Sequence, residues 1–157
     1  MIEAALVAAL EEVTVANGYA NNLGSAAGGG GAQLLKYEYN RRGVRPAALV
    51  ILGDERYELQ TDNMGAVCRH QFQVYLLGEP PANAEDVIST SLRGLVNDVK
   101  RRIGIETVKD LPLGVTGIVD LIYESVSYDE WNPEAIQAVI EGTVTYEHLI
   151  DDPEVPA

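Results

Sequence analysis

The chain has 157 residues, a formal net charge of −13 and one cysteine. That length suits a single domain burying about 70% of its unfolded surface. The lone cysteine, Cys68, excludes an internal disulfide and argues for a reducing compartment. The acid excess excludes tight binding of duplex nucleic acid, whose phosphates need a basic surface.

The charge is unevenly spread. Residues 1–105 hold twelve acids and ten bases, whereas residues 106–157 hold twelve acids and one base, Lys109. An acidic final third and basic clusters elsewhere, at Arg41, Arg42 and Arg45 and at Lys100, Arg101 and Arg102, could associate head to tail. A solvated acidic surface accounts for the same numbers. No run of eighteen apolar residues is present, and Glu3, Glu11 and Glu12 break up what could pass for an export signal. A cytosolic protein without a membrane span is expected.

Ile2, Leu6, Leu10 and Val13 share a face and predict a short amphipathic helix over Ile2 to Val13. Asn17-Gly18 and Asn21-Asn22 then mark a structured turn. Gly28 to Gly31 form a run of four glycines in Ser25 to Ala32, with no Gly-Lys-Ser/Thr ending and no helix opening directly after it. That excludes a phosphate-binding loop and leaves a flexible connection. Leu34 to Tyr39 reads as an edge strand, followed by the basic turn Arg41 to Arg45. Ala47 to Leu52 is apolar on both faces, as in a covered central strand, with Gly53-Asp54 ending it and Arg56 to Leu59 placed to form a hairpin with it.

Ala66 to Leu77 gives the clearest signal. Ala66, Cys68, His70, Phe72, Val74 and Leu76 alternate with Val67, Arg69, Gln71, Gln73 and Tyr75, the period of a pleated strand. Gly78 to Asn83 turns the chain, with Pro80-Pro81 stopping the strand, and Asn83, Glu85 and Asp86 supply a cap and first-turn acids. A helix over Ala84 to Ile103 follows, with Val87, Ile88, Leu92, Leu95, Val96, Val99 and Ile103 inward and Arg93, Asp98 and Arg102 wet. Lys100, Arg101 and Arg102 would close it, with Gly104 as C-cap.

Thr116 to Tyr128 is a further strand, with Gly117, Val119, Leu121 and Tyr123 on one side. Trp131 falls in the connection, and Ala135 to His148 is a last strand antiparallel to its predecessor. Gly142 within it marks a bulge or the close approach of another chain. Residues 1–150 thus form one α+β domain, a mostly antiparallel mixed sheet with a short N-terminal helix and one long helix packed on it, and 151–157 an acidic tail carrying Asp151 and Asp152.

The chemistry offered is thin. Cys68 and His70 share a strand face but two ligands do not make a zinc site, and their apolar neighbours predict a core cysteine and a hydrogen-bonded histidine. His148 stands near a strand end, and Glu11-Glu12, Asp54-Glu55 and Asp151-Asp152 sit where solvation is expected. No enzyme, cofactor or metal is indicated. Trp131 and the tyrosines suit interface anchoring or ordinary packing.

The chain resembles the tail terminator (tail completion) proteins of long-tailed bacteriophages. The likeness lies in the order of elements and in Val13 to Gly24, Arg45 to Gly53, Gln71 to Val74, the helix Ala84 to Ile103, Thr116 to Val119 and Val144 to His148. It spans nearly the whole chain, with no single diagnostic stretch, and the glycine run at 28–31 departs from the pattern. The resemblance implies a virion protein, made in the host cytoplasm, that assembles as a homohexameric ring on the finished tail tube. Its partners would be its own copies, the tail tube protein and a neck or head-completion protein, with genome DNA passing the channel unbound. Arg41, Arg42, Arg45, Lys100, Arg101, Arg102, Trp131, Asp151 and Asp152 are the interface candidates. A neck or head-completion adaptor and an acidic DNA mimic are the competing expectations.

Overall fold

A computed structural model describes residues 2–23, 25–28, 46–60, 65–78, 88–129 and 137–149. In chain order they form α1 (Ile2–Glu11), β1 (Ser25–Gly28), β2 (Ala47–Gln60), β3 (Gly65–Leu77), α2 (Ile88–Thr107), β4 (Ile118–Asp129) and β5 (Gln137–Leu149). Short 3-10 turns lie at Val15–Asn17 and Pro112–Gly114. The strands make one sheet in the order β1-β2-β3-β5-β4, with β1 parallel to β2 and every other pair antiparallel. The class is α+β, as the sequence predicts, with both helices on one face.

β3 is the middle strand, and the alternation that announces it holds along its length: Ala66, Cys68, His70, Phe72, Val74 and Leu76 are all buried. Register carries that face outward, with Val50 and Ile140 on either side of Val74, and Ala48 and Ala138 on either side of Leu76. Leu6 and Leu10 from α1 and Leu92, Leu95, Val96, Val99 and Ile103 from α2 complete the core. Burying a side chain of this kind contributes about 1.5–3 kcal/mol, so these two stripes, rather than helix propensity, hold α1 and α2 in place. On the other face Ala47, Leu49 and Leu77 form a small buried cluster, so β2 is covered on both sides at its start.

Five readings are corrected. Ser25–Gly28 is strand, not loop: β1 pairs with Ala47–Val50, which supplies the backbone partners a glycine-rich segment lacks by itself. β2 does not stop at Gly53-Asp54. A register shift between Leu52 and Glu55 absorbs the extra residue, and Glu55–Gln60 continue pairing with β3 rather than folding back as a hairpin on Ala47–Leu52. α2 runs through Gly104 to Thr107, because Gly104 keeps negative φ and the last turn is tied down by Thr107 Oγ1, which donates to Ile103 O and to Leu121 O. Lys100, Arg101 and Arg102 are therefore not its closing turn. In β4 a shift between Ile118 and Asp120 breaks the expected alternation, burying Ile118 and Leu121 and exposing Val119. Asp98 and Arg102, expected to stay wet, are 8% and 5% exposed, for reasons given below.

Gly142 reports a close approach, but within one chain. A Cβ there would lie 2.3 Å from Ile122 O and 2.5 Å from Phe72 Cζ, so the Phe72 ring occupies the space a side chain would take on the opposed strand. Asn17-Gly18 makes the predicted turn, with Gly18 at φ +85 and Thr14 Oγ1 accepting from Asn17 N at 3.3 Å. The edge strand expected at Leu34 to Tyr39 and the helix start at Ala84 lie outside the described residues, as do Gly29 to Gly31.

Candidate functional site

Polar side chains of α2 form a latch on the N-terminal segment. Asp98 Oδ2 accepts from Asn21 N at 2.9 Å and Asn21 Nδ2 at 2.7 Å, and its Oδ1 from Ala20 N at 3.3 Å. Arg101 Nη1 donates to Gly18 O at 2.9 Å, its guanidinium 5.0 Å from the centre of the Tyr19 ring. Arg102 Nε donates to Ala9 O at 3.1 Å, while its Nη2 sits 2.7 Å from Glu12 Oε2 and 2.5 Å from Glu106 Oε1. Glu106, 2% exposed, also receives Lys109 Nζ at 2.6 Å and the Leu113 N–H at 2.8 Å. Burial by itself would raise the Glu106 pKa, but the bonds from Lys109 and Leu113 and the Arg102 charge outweigh it and hold the carboxyl below its ordinary range.

Of the predicted interface cations, then, Arg102 is buried within the fold, Arg101 is exposed and bonded to Gly18 O of the same chain, and Lys100 Nζ lies 5.3 Å from the Tyr123 ring centre. Arg41, Arg42, Arg45, Trp131, Asp151 and Asp152 lie outside the described residues. Glu106 and Asp98 were missed as paired groups. The i, i+4 spacing of Arg102 and Glu106 is the one signal of the pair that the sequence carries.

A second polar group occupies the stretch of β2, β3 and β5 beyond the helices. Tyr57 OH donates to the Glu55 carboxylate, which also lies 3.2 Å from His70 Nδ1, and His70 Nε2 is 3.2 Å from Gly53 O. The bond to Glu55 pushes the Tyr57 phenol up to about 12. Burial pushes Cys68 and Tyr146 up as well. Cys68 is fully buried, so it is held as the neutral thiol, which is neither a nucleophile nor a good metal ligand. His148 is buried against the Tyr57 and Tyr146 rings; its Nδ1 lies 2.7 Å from Leu149 O and its Nε2 has no partner among the described residues. Cys68 and His70 are thus the core cysteine and bonded histidine the sequence predicts.

The acidic final third becomes one end of the sheet, since β5 and β4 are its last two strands. A shallow hollow of about 240 Å³ spans β2, β3, β5 and β4 and is lined by Asp54, Gln71, Gln73, Glu124 and Glu141. Neutral donors meet two of its three carboxylates: Gln73 Nε2 at 2.7 Å and Ser125 Oγ at 3.0 Å to Glu141, and Thr143 Oγ1 at 3.2 Å to Glu124. Their negative charge is therefore not neutralised by these contacts. Among the described residues no group of three or more His, Cys, Asp and Glu side chains is arranged to hold a metal ion, and no helix is long and apolar enough to cross a membrane.

Among the described residues this geometry defines an acidic hollow on the sheet and a buried ionic latch between α2 and the N-terminal segment. In comparisons with known proteins, no family model matches the chain and no curated protein matches it.

Proposed function

We propose that this chain is a ring-forming structural protein of a phage virion, a tail terminator that caps the tail tube, ends its growth and presents the surface to which the head joins. The observation that carries the reading is the order of elements behind the resemblance: a short helix, paired strands, one long helix and a closing antiparallel strand pair, joined in one sheet. A subunit of that kind has work to do at its surface, and the surface is acidic. Asp54, Glu124 and Glu141 on the β2, β4 and β5 strands would repel phosphates if they lined a channel, so that DNA could slide without sticking. Arg102 is buried within the fold, and the basic cluster Arg41, Arg42 and Arg45 supplies cations for contacts between copies.

The test is the mass of the purified protein by light scattering, with negative-stain imaging of the protein alone and mixed with tail tubes. Rings, and capped tubes of fixed length, are the expected result. A monomer at tens of micromolar that displaces DNA from a basic protein would overturn the reading in favour of a DNA mimic, and a ring that binds heads but not tubes would make it a neck adaptor.

A further inference from the structure

Asn17-Gly18 is the one Asn-Gly step in the chain. Such a pair is open to self-attack: with no Cβ on the second residue, its backbone nitrogen reaches the asparagine carboxamide with the least steric hindrance. The other asparagines are followed by residues that carry a Cβ or, at Asn132, by a proline without an N–H.

The step faces solvent. Asn17 and Gly18 are both exposed, and nothing lies within 4 Å of where a Cβ on Gly18 would stand. Hydrogen bonds rather than burial keep it unreactive. The Gly18 N–H donates to Val15 O at 3.0 Å, and Asn17 Nδ2 donates to Glu12 O at 2.9 Å. The first bond holds the hydrogen that ring closure must remove. The second ties the carboxamide to the end of α1 instead of leaving it free to swing onto the Gly18 nitrogen. α2 then clamps the turn from outside: Arg101 Nη1 donates to Gly18 O at 2.9 Å, and Asp98 accepts from the N–H groups of Ala20 and Asn21. Attack therefore waits on local opening of this turn.

We propose that Asn17 is a site of spontaneous covalent modification, converting to aspartate and isoaspartate, and that the latch of Asp98 and Arg101 sets its rate. The Gly18 nitrogen bonds to Asn17 Cγ as the Cγ–Nδ2 bond breaks, and Nδ2 leaves as ammonia with the hydrogen from the Gly18 N–H. Water then opens the cyclic imide. Cleavage at Cγ gives aspartate, cleavage at the Asn17 backbone carbonyl gives isoaspartate, and no reactant besides water is consumed.

The product undoes the turn that protected the reactant. A carboxylate has no hydrogen to donate to Glu12 O, and it adds negative charge at the C-terminal end of α1, where the helix dipole disfavours anions. Isoaspartate also lengthens the backbone by one atom, which the bonds from Asn17 N to Thr14 O and from Gly18 N to Val15 O cannot both follow. Each conversion loosens the hold of α2 on the N-terminal segment.

Peptide mapping by mass spectrometry follows the reaction in the full chain, as the mass gained when the carboxamide NH2 becomes OH. In mildly alkaline buffer the folded wild type should convert at least about tenfold more slowly than the same chain unfolded in guanidinium chloride, because two hydrogen bonds must break first. Arg101→Ala and Asp98→Asn, each shown to be folded by circular dichroism, should convert several-fold faster than wild type. A folded wild type that keeps pace with the unfolded chain overturns the protection, and variants that react at the wild-type rate overturn the latch as its gate. Should one variant fail to fold, the other carries the same comparison. Asn17→Ser should abolish the mass gain in this peptide; a gain that persists overturns the assignment to Asn17. Asn17→Asp should melt below wild type, with faster hydrogen exchange at residues 17–21, and unchanged melting and exchange would overturn the loosening.

Discussion

Replacing Glu106 with glutamine removes one charge from the most buried ionic group described here and keeps its shape. Three donors converge on that carboxylate, from Arg102, Lys109 and Leu113. Breaking a buried pair by removing one partner costs about 3–5 kcal/mol, because the surviving charge stays buried. Two features place this case near the lower figure. Arg102 keeps Glu12 at 2.7 Å and the Ala9 carbonyl, and Lys109, which is half exposed, returns to water at little cost. The glutamine oxygen can still accept from Leu113 N, which matters because Leu113 sits in the left-handed region at φ 56. We expect a loss of about 3 kcal/mol at pH 7, or a melting point about 6–12 °C lower. The pH dependence has a definite sign. Glu106 has a folded-state pKa below its unfolded one, so its stabilisation is present above the ordinary carboxylate pKa and disappears as pH falls through the depressed folded value. The gap between wild type and Glu106→Gln in urea unfolding should therefore be full at pH 7 and shrink toward zero under acid. A gap below about 1 kcal/mol, or one unchanged by acid, would refute the assignment of the latch to this carboxylate.

Gly142→Ala should destabilise by about 1–3 kcal/mol through overpacking, and Phe72→Leu should not rescue it, since the Ile122 carbonyl remains in the way; a rescued melting temperature would locate the clash in the ring alone. Asp98→Ala leaves the Ala20 and Asn21 donors without their acceptor, at a cost of about 1–3 kcal/mol. Hydrogen exchange at residues 19–22 should accelerate more than exchange in β3, and uniform acceleration would count against a local latch. Reversing Arg41, Arg42 and Arg45 to glutamate should weaken self-association in a salt-dependent way with the fold intact, as read by light scattering and thermal unfolding. Unchanged assembly at physiological salt would remove these arginines from the contact.

What the sequence disclosed, and what it hid, follows from the range of the forces involved. The β3 strand and the inward stripe of α2 were legible because periodicity is local, and the core face of Phe72, Val74 and Leu76 needs no knowledge of its partners. The bulges in β2 and β4 were not, because a register shift is decided by the strand opposite. The same reason exposed Val119 against expectation. Asp98 and Arg102 read as wet because their helical positions face away from the main stripe; the return of the Ala9 to Asn21 segment across α2 supplies the partners of Asp98 and, together with Glu106 one turn along α2, those of Arg102. Exposure of Val108 and Leu59 was not legible either, since it follows from how the elements stack.

The position of β3 also sets a timetable for synthesis. Its first partner, β2, is made just before it, across residues 61–64, so that pair can form at once. Its second partner, β5, starts at Gln137, sixty residues after β3 ends at Leu77. At about 5–20 residues per second the ribosome takes roughly 3–12 s to deliver it. During that interval the backbone edge of β3 that faces β5 has no strand to pair with, and α2 emerges first to cover the apolar face of Phe72, Val74 and Leu76. The long helix thus shields a nascent strand before it serves a finished sheet.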